Sequence, residues 1–202
     1  MKRISLFLCT FFLICTSLFA AEANNSETTT QDNPEEKIES DYVYQMNQAG
    51  DQFIQLGINV NIPYAPSLDY LNVGGSGLLN YERYLTDSFS VGGTVAFGYD
   101  TTVGENVLYF VPIMGNVSYL FSVNKFEIPV TLNIGGAFEN YIDRIYFGLA
   151  VEPEVGFYYR YSSDWSFGGH AGVFILPQWY SDSSDNYTGI IPNLGLSVRY
   201  HF

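Results

Sequence analysis

The sequence predicts an all-β protein, an eight-stranded antiparallel up-and-down transmembrane β-barrel. An apolar leader opens the chain, and from Gln52 to the last residue apolar and polar side chains alternate with a period of two. Period two indicates strands with two unlike faces. The alternating segments reach the roughly 9–11 residues that a tilted strand needs to cross a bilayer. Because lipid offers no hydrogen-bond partners to the backbone, such strands must close into a barrel.

Residues 1–23 are predicted to be a secretory signal peptide. Met1, Lys2 and Arg3 give a positive start, an apolar run follows to Phe19, and Ala21-Glu22-Ala23 supplies a small-x-small cleavage site. We expect cleavage after Ala23, with Ala20 and Ala21 as alternatives. Both cysteines of the chain, Cys9 and Cys15, lie inside this segment, so a disulfide framework is excluded for the mature protein.

Residues 24–51 are predicted to form a disordered acidic tail in the periplasm. The stretch from residue 22 to residue 51 is rich in Asn, Ser, Thr and Glu, and its one base is Lys37. Such a composition cannot bury enough apolar surface to fold alone. A solvated spacer is the expected role, and a partner-binding arm is the alternative. The chain has a net charge of -13 and no basic patch, so we do not expect nucleic acid as a partner.

The barrel is predicted to occupy residues 52–202. In the first segment Ile54, Leu56 and Ile58 alternate with Gln55 and Gly57. The later segments follow the same rule at about 71–84, 88–99, 107–121, 126–138, 147–160, 165–179 and 189–202. The apolar face carries almost no charge, whereas a soluble barrel would turn a charged face outward, so we expect the apolar face to contact outer-membrane lipid. The protein is expected to be monomeric.

The connections between these segments fall into two classes. Tight turns at Thr86-Asp87, Val123-Asn124 and Ser163-Asp164 are placed in the periplasm together with both termini. Longer links near 63–70, 100–106, 139–145 and 181–186 are placed at the outer surface. Aromatic residues are frequent at both ends of the segments, which predicts two aromatic girdles at the headgroup boundaries.

Five prolines fall inside the predicted strands: Pro112, Pro129, Pro153, Pro177 and Pro192. Proline lacks the N–H that the ladder needs and is confined to edges or bulges. The sequence therefore predicts local β-bulges at these positions.

The last segment carries a family resemblance. Leu194, Leu196, Val198, Tyr200 and Phe202 lie on one face and end the chain on an aromatic residue. This pattern resembles the terminal assembly signal of outer-membrane proteins, with Val198, Tyr200 and Phe202 as its core, and implies the barrel-assembly machinery as a partner during biogenesis. Residues 52–202 as a whole resemble the small OmpW/OprG, OmpX and OmpA transmembrane barrels, which implies a location in the outer membrane.

The polar faces place several charges inside the lumen. Small barrels usually fill their interiors with side chains, and unpaired buried charges cost several kcal/mol. We therefore expect a salt-bridged network, and a conducting or proton-linked site is the alternative. Its members near the periplasmic end are Glu82, Glu127, Arg160 and Arg199, beside His201, and those higher up are Glu152, Glu154 and His170.

A second set of inward residues is apolar and lies toward the outer ends of the strands. These side chains either pack together or line a pocket that is open to the outside. The OmpW-like resemblance implies a pocket for small hydrophobic solutes. The set comprises Leu108, Phe110, Met114, Tyr146, Phe174, Leu176 and Ile191.

No catalytic or cofactor motif is visible. The two histidines, His170 and His201, are both expected to face inward, and the Asp residues of the outer loops have no His beside them. No metal-ligand cluster or phosphate loop is visible either. We expect a protein without enzymatic activity and without a cofactor. Two functions stay open: a porin-like narrow channel or pocket for small solutes, and a closed structural or surface-contact barrel with a plugged lumen.

Overall fold

The computed structural model describes residues 47–64, 71–101, 106–141, 144–179 and 186–202. The predicted signal peptide and residues 24–46 of the predicted tail lie outside these ranges. The strands are β1 Gln52–Asn61, β2 Gly74–Thr86, β3 Phe89–Thr101, β4 Val107–Val123, β5 Phe126–Tyr141, β6 Arg144–Arg160, β7 Trp165–Gln178 and β8 Tyr187–His201.

The eight strands form a closed barrel in sequence order. Each strand pairs antiparallel with the next, and β1 also pairs antiparallel with β8, which closes the wall. The predicted fold class is confirmed. Within the described part of the chain, no helix is long and apolar enough to cross a membrane.

Alternation along each strand separates the two faces of the wall. On β1, Gln55 and Asn59 are buried in the lumen, whereas Leu56 and Ile58 are 56% and 72% exposed on the outside. Among the strand side chains that the structure describes, Arg83, near the end of β2, is the exposed charge. Exposing aliphatic rows while burying asparagine and glutamate is the reverse of a water-soluble barrel, and it suits a wall that contacts lipid.

The turns differ from the sequence prediction by about one residue. Asp87-Ser88 and Asn124-Lys125 are the turn residues, because β2 continues to Thr86 and β4 continues to Val123. Asn124 adopts the left-handed region with φ 56°, a conformation that asparagine tolerates better than most residues. On the opposite edge, β5 runs to Tyr141 and β6 begins at Arg144, so the predicted link at 139–145 is mostly strand.

The predicted bulges at the strand prolines are wrong. Pro112 pairs with Ala137 and Pro192 pairs with Val173 within unbroken registers. Between β5 and β6 the pairing passes from Glu127↔Tyr158 to Val130↔Val155 without an extra residue on either side. Each proline removes one donor without inserting a residue, so the alternation continues past it. The register shift that the structure records lies instead between Tyr84 and Thr86.

Candidate functional site in the lumen

The lower end of the lumen is the end that holds the start of β1 and the chain terminus Phe202. Four groups of side chains follow one another along the lumen: a charged floor, a polar layer, an apolar plug and an upper rim. Their order follows from the strands, since on β4 Leu120 lies lowest, Asn116 lies above it and Phe110 lies higher still.

An ion pair and an asparagine form one side of the floor. The Arg160 Nε lies 3.2 Å from Glu127 Oε1, and both side chains are almost fully buried. Asn47 joins them, since its Nδ2 donates to Glu127 Oε1 at 2.9 Å and its Oδ1 accepts from Arg160 Nη2. Asn47 precedes β1 and adopts φ 64°, and Gly50 adopts φ 106°. These two left-handed residues let residues 47–51 turn toward the lower mouth and bring Asn47 to β5 and β6.

Arg199 on β8 forms the other side of the floor. Its guanidinium lies 3.6 Å from the centroid of the Tyr158 ring and 4.7 Å from that of Phe53, and its Nε donates to Gln55 Oε1 at 2.8 Å. Among the described residues, no carboxylate oxygen lies within 4.0 Å of Arg199, and Arg160–Glu127 is the ion pair of the lumen. Aromatic faces and an amide therefore replace the counter-ion that the sequence led us to expect for this arginine.

The remaining floor carboxylate, Glu82, is held by neutral donors. Asn80 Nδ2 donates to its Oε1 at 2.8 Å and Ser90 Oγ to its Oε2 at 2.5 Å. Glu82 thus has hydrogen-bond partners on both oxygens, which offsets the cost of its burial.

Above the floor, asparagines and hydroxyls connect β2, β3, β4, β5, β6 and β8 in a polar layer. Asn116 Nδ2 donates to Asn80 Oδ1 at 2.9 Å and to Thr94 Oγ1 at 3.0 Å. Thr94 Oγ1 donates in turn to Asn133 Oδ1 at 3.0 Å. The network ends on Glu152, whose Oε1 accepts from Asn193 Nδ2 at 2.9 Å and whose Oε2 lies 3.4 Å from Asn133 Nδ2.

His170 belongs to a smaller chain of hydroxyl contacts. Its Nδ1 lies 3.1 Å from Ser197 Oγ, which is also 2.7 Å from the Tyr158 hydroxyl. His170 and Ser197 are both buried, and no acid is hydrogen-bonded to this histidine within the described residues. A hydroxyl–imidazole pair that is buried and has no acid to orient the ring lacks the third partner of a nucleophilic triad.

The apolar plug fills the upper half of the lumen. Phe110 and Phe174 meet edge to face with centroids 5.4 Å apart, and both are 0% exposed. Tyr187 packs against the cluster from the side. The plug comprises Leu71, Leu108, Phe110, Met114, Ala137, Ala150, Phe174, Leu176 and Ile191.

Polar residues form the upper rim above the plug. Gln178 Nε2 donates to Glu139 Oε2 at 2.5 Å, and Ser76 Oγ donates to Asn61 Oδ1 at 2.9 Å. Asp100, Asn61 and Glu139 are all buried. The rim is therefore a layer of buried polar groups at the upper ends of the strands.

The structure places the residues of the predicted charge network as follows. Glu82, Glu127, Glu152, Arg160, His170 and Arg199 are buried in the lumen, and Glu154 is partly buried. They do not form one salt-bridged network: Arg160 and Glu127 pair, whereas Glu82, Glu152 and Arg199 are met mainly by neutral or aromatic groups.

The predicted apolar set also faces inward. Leu108, Phe110, Met114, Phe174, Leu176 and Ile191 belong to the plug, and Tyr146 is partly exposed and donates to the backbone of Trp179 at 3.5 Å. In this structure the side chains pack together, which was the alternative to an open pocket. At the chain end, Tyr200 and Phe202 are exposed on the outer wall and their rings stack with centroids 6.1 Å apart. Val198 faces the same side and is half-buried.

Sequence reasoning missed the polar layer and Asn47. Alternation could have indicated the layer, because Asn59, Asn80, Asn116, Asn133 and Asn193 all occupy inward positions. Asn47 lies in a polar stretch without periodicity, so no sequence signal separated it from the tail.

A small polar cleft lies beside Asn47 at the lower end. It has a volume of about 270 Å³ and lies between residues 47–48, the β2–β3 and β4–β5 turns, and the buried pair Glu127 and Arg160.

These features define a small closed barrel of the outer-membrane type with a filled lumen. Comparison with solved structures agrees: Pseudomonas aeruginosa outer membrane protein OprG has a TM-score of 0.54 at 10% identity, covering 78% of this chain and 98% of OprG. Neisserial surface protein A has a TM-score of 0.55 at 12% identity, covering 76% of this chain and 99% of that protein. At such low identity these similarities show the fold, and the predicted resemblance to small eight-stranded outer-membrane barrels is confirmed.

The chain belongs to a protein family whose model matches residues 30–200. It is also 36% identical over 132 residues to an uncharacterized protein of Treponema pallidum (strain Nichols), a match that covers 64% of this chain and 60% of that relative. The chain thus spans about three fifths of the relative that it matches.

Proposed function

We propose that this protein is an integral outer-membrane β-barrel with a closed lumen, which acts through its two ends and does not conduct solutes. The packed apolar plug carries the proposal. Phe110, Phe174 and Ile191, from β4, β7 and β8, are all 0% exposed and belong to one cluster. A water-filled path would have to separate these side chains. Exposing their apolar surface to water costs about 25 cal/mol of free energy per Å².

The location follows from the wall. Aliphatic and aromatic side chains face outward on all the strands, which suits the apolar band of a barrel in lipid. The tyrosine, tryptophan and phenylalanine rings near the lower end, including Trp165, Tyr200 and Phe202, are exposed and contact one another. Rings of this kind settle at the headgroup boundary, and we place the termini on the periplasmic side as the sequence predicted.

Conductance in planar bilayers tests the closed lumen. We expect the refolded protein to give no stable current steps, while its insertion is verified by heat-modifiable migration in gels. The double variant Phe110→Gly/Phe174→Gly empties the centre of the plug and is expected to give small steps. A matched outer-wall variant, Phe138→Gly/Phe147→Gly, removes a ring pair whose centroids are 4.7 Å apart and should stay silent.

Stable steps from the unaltered protein would overturn the proposal. They would favour the competing prediction of a narrow channel or pocket for small, apolar solutes, because such a channel requires the plug to open.

A further inference from the structure

We infer that the polar cleft at the lower end is a binding site for a protonated primary amine. The inference goes beyond a closed barrel and does not depend on whether the lumen conducts. It rests on the cleft, on a buried carboxylate in its wall and on the charges that surround it.

Glu127 supplies the buried acceptor. The side chain is 3% exposed, its Oε1 faces Arg160 and Asn47, and its Oε2 is buried without a hydrogen-bond partner among the described residues. Leaving a charged oxygen unpaired costs more than the roughly 1–3 kcal/mol of a neutral group. A donor in the cleft would remove this cost once the rim side chains that cover this oxygen move aside.

The other groups of the cleft select the charge of the ligand. Asp87, Ser122 and Asn124 lie on its exposed rim and offer further oxygen acceptors. The cation in the wall, Arg160, already directs its terminal nitrogens to Asn47 Oδ1 and to Ser163 O. The cleft thus has two carboxylates, Glu127 and Asp87, and one guanidinium whose hydrogen bonds are already made, so an anion would be repelled. The net charge of -13 also attracts cations to the protein.

An ammonium group fits the donor pattern better than other cations do. It has three N–H donors that can meet one carboxylate oxygen and neighbouring hydroxyl or amide oxygens. A guanidinium would require both oxygens of one carboxylate for its bidentate geometry, and Glu127 Oε1 is already engaged by Arg160 and Asn47. Among the described residues no group of three acidic, histidine or cysteine side chains is arranged to hold a metal ion, and calcium takes 6–8 oxygen ligands.

The size of the cleft limits the rest of the ligand. Its 270 Å³ falls just below the roughly 300–1,000 Å³ of pockets that bury drug-sized molecules. An aminoalkyl chain would fit, and its source is either a free diamine or a lysine-like side chain of a polypeptide.

Calorimetric titration of the refolded protein in a non-ionic detergent tests the inference. The probes are cadaverine for the free diamine, Nα-acetyl-lysine methylamide for the peptide-borne amine, and Nα-acetyl-norleucine methylamide as the uncharged match of the latter. We expect at least one amine probe to bind and the norleucine probe to give no heat. Binding of cadaverine alone identifies a free diamine, whereas binding of the lysine probe identifies a peptide-borne amine.

Two variants and a control locate the site. Glu127→Gln should weaken binding by about 10-fold or more, the loss expected for a hydrogen bond to a charged group. Ser122→Phe should block the cleft from its exposed rim while keeping both members of the ion pair, although Ser122 is the cross-strand partner of Glu127. Glu82→Gln neutralises a buried floor carboxylate outside the cleft and should leave the affinity unchanged.

Three results would overturn the inference: no heat from either amine, equal binding of the norleucine probe, or unchanged affinity in both Glu127→Gln and Ser122→Phe. All are measured in micelles, so they are separate from the conductance result.

Discussion

The buried Arg199 gives the sharpest test of how the floor is held together. Its guanidinium lies 3.6 Å from the Tyr158 centroid and 4.7 Å from the Phe53 centroid. A desolvated cation–π contact contributes about 2 kcal/mol, and the bond from Arg199 to Gln55 adds about 1.5–3 kcal/mol because its donor is charged. Arg199→Met loses these contacts but also removes the cost of burying a cation, so we expect a net destabilisation of about 1–3 kcal/mol.

A double-mutant cycle separates the ring contact from the burial cost. Between Arg199→Met and Tyr158→Leu we expect a coupling free energy of about 1–2 kcal/mol. Tyr158→Phe keeps the ring and removes the hydroxyl that contacts Ser197, so its coupling to Arg199→Met should be small. Unfolding in urea from phosphatidylcholine vesicles, followed by tryptophan fluorescence, gives the free energies. Equal coupling for the Leu and Phe variants would refute the role of the ring.

Three further substitutions test the other parts of the account. Asn47→Ala removes contacts to both Glu127 and Arg160 and should lower the unfolding free energy by about 1–3 kcal/mol. Thr188→Ala, at an exposed position, should have little effect, and equal losses in the same urea assay would contradict the role of Asn47. Phe174→Ala opens a cavity in the plug and should lower the unfolding free energy by about 3–5 kcal/mol. Phe147→Ala, on the outer wall, should lower it by less, and the reverse order would mean that the plug is loosely packed. Leu196→Arg places a charge on the outer wall, and near the midplane of the bilayer such a charge should destabilise the inserted barrel by about 2–4 kcal/mol. Tyr161→Arg, at the lower end, should cost about 0–1 kcal/mol. Similar costs for the two variants would argue against a lipid-facing wall.

Alternation was enough to predict the wall, because a one-residue slip would move every side chain to the other face. Ile58 and Leu196 were assigned outward and Phe110 and Phe174 inward, and the structure places them so. Turn positions were less accurate, since residues such as Thr86 and Val123 continue the strand pattern to its end. The prolines misled the prediction because a missing donor does not require an extra residue in the strand.

The chemistry of the lumen could be predicted only in part. The inward position of Arg199 follows from period two, but its partners come from β1 and β6, far away in the sequence. Which of Glu82, Glu127 or Tyr158 it meets depends on barrel shear and on rotamers, which no local pattern records. Asn47 shows the same limit: two backbone angles bring it to a pair that lies 80 and 113 residues further along the chain.

Contact between lipid chains and the aliphatic rows of the wall is the central claim, and paramagnetic relaxation measures it directly. With a spin label near the end of the lipid acyl chain, the methyl signals of Leu56, Ile58 and Leu196 should broaden strongly in the refolded protein. Those of Leu108, Leu176 and Ile191, which are 6% exposed or less, should stay sharp. Broadening of the second group with protection of the first would show that the wall is inverted and that the barrel does not stand in lipid.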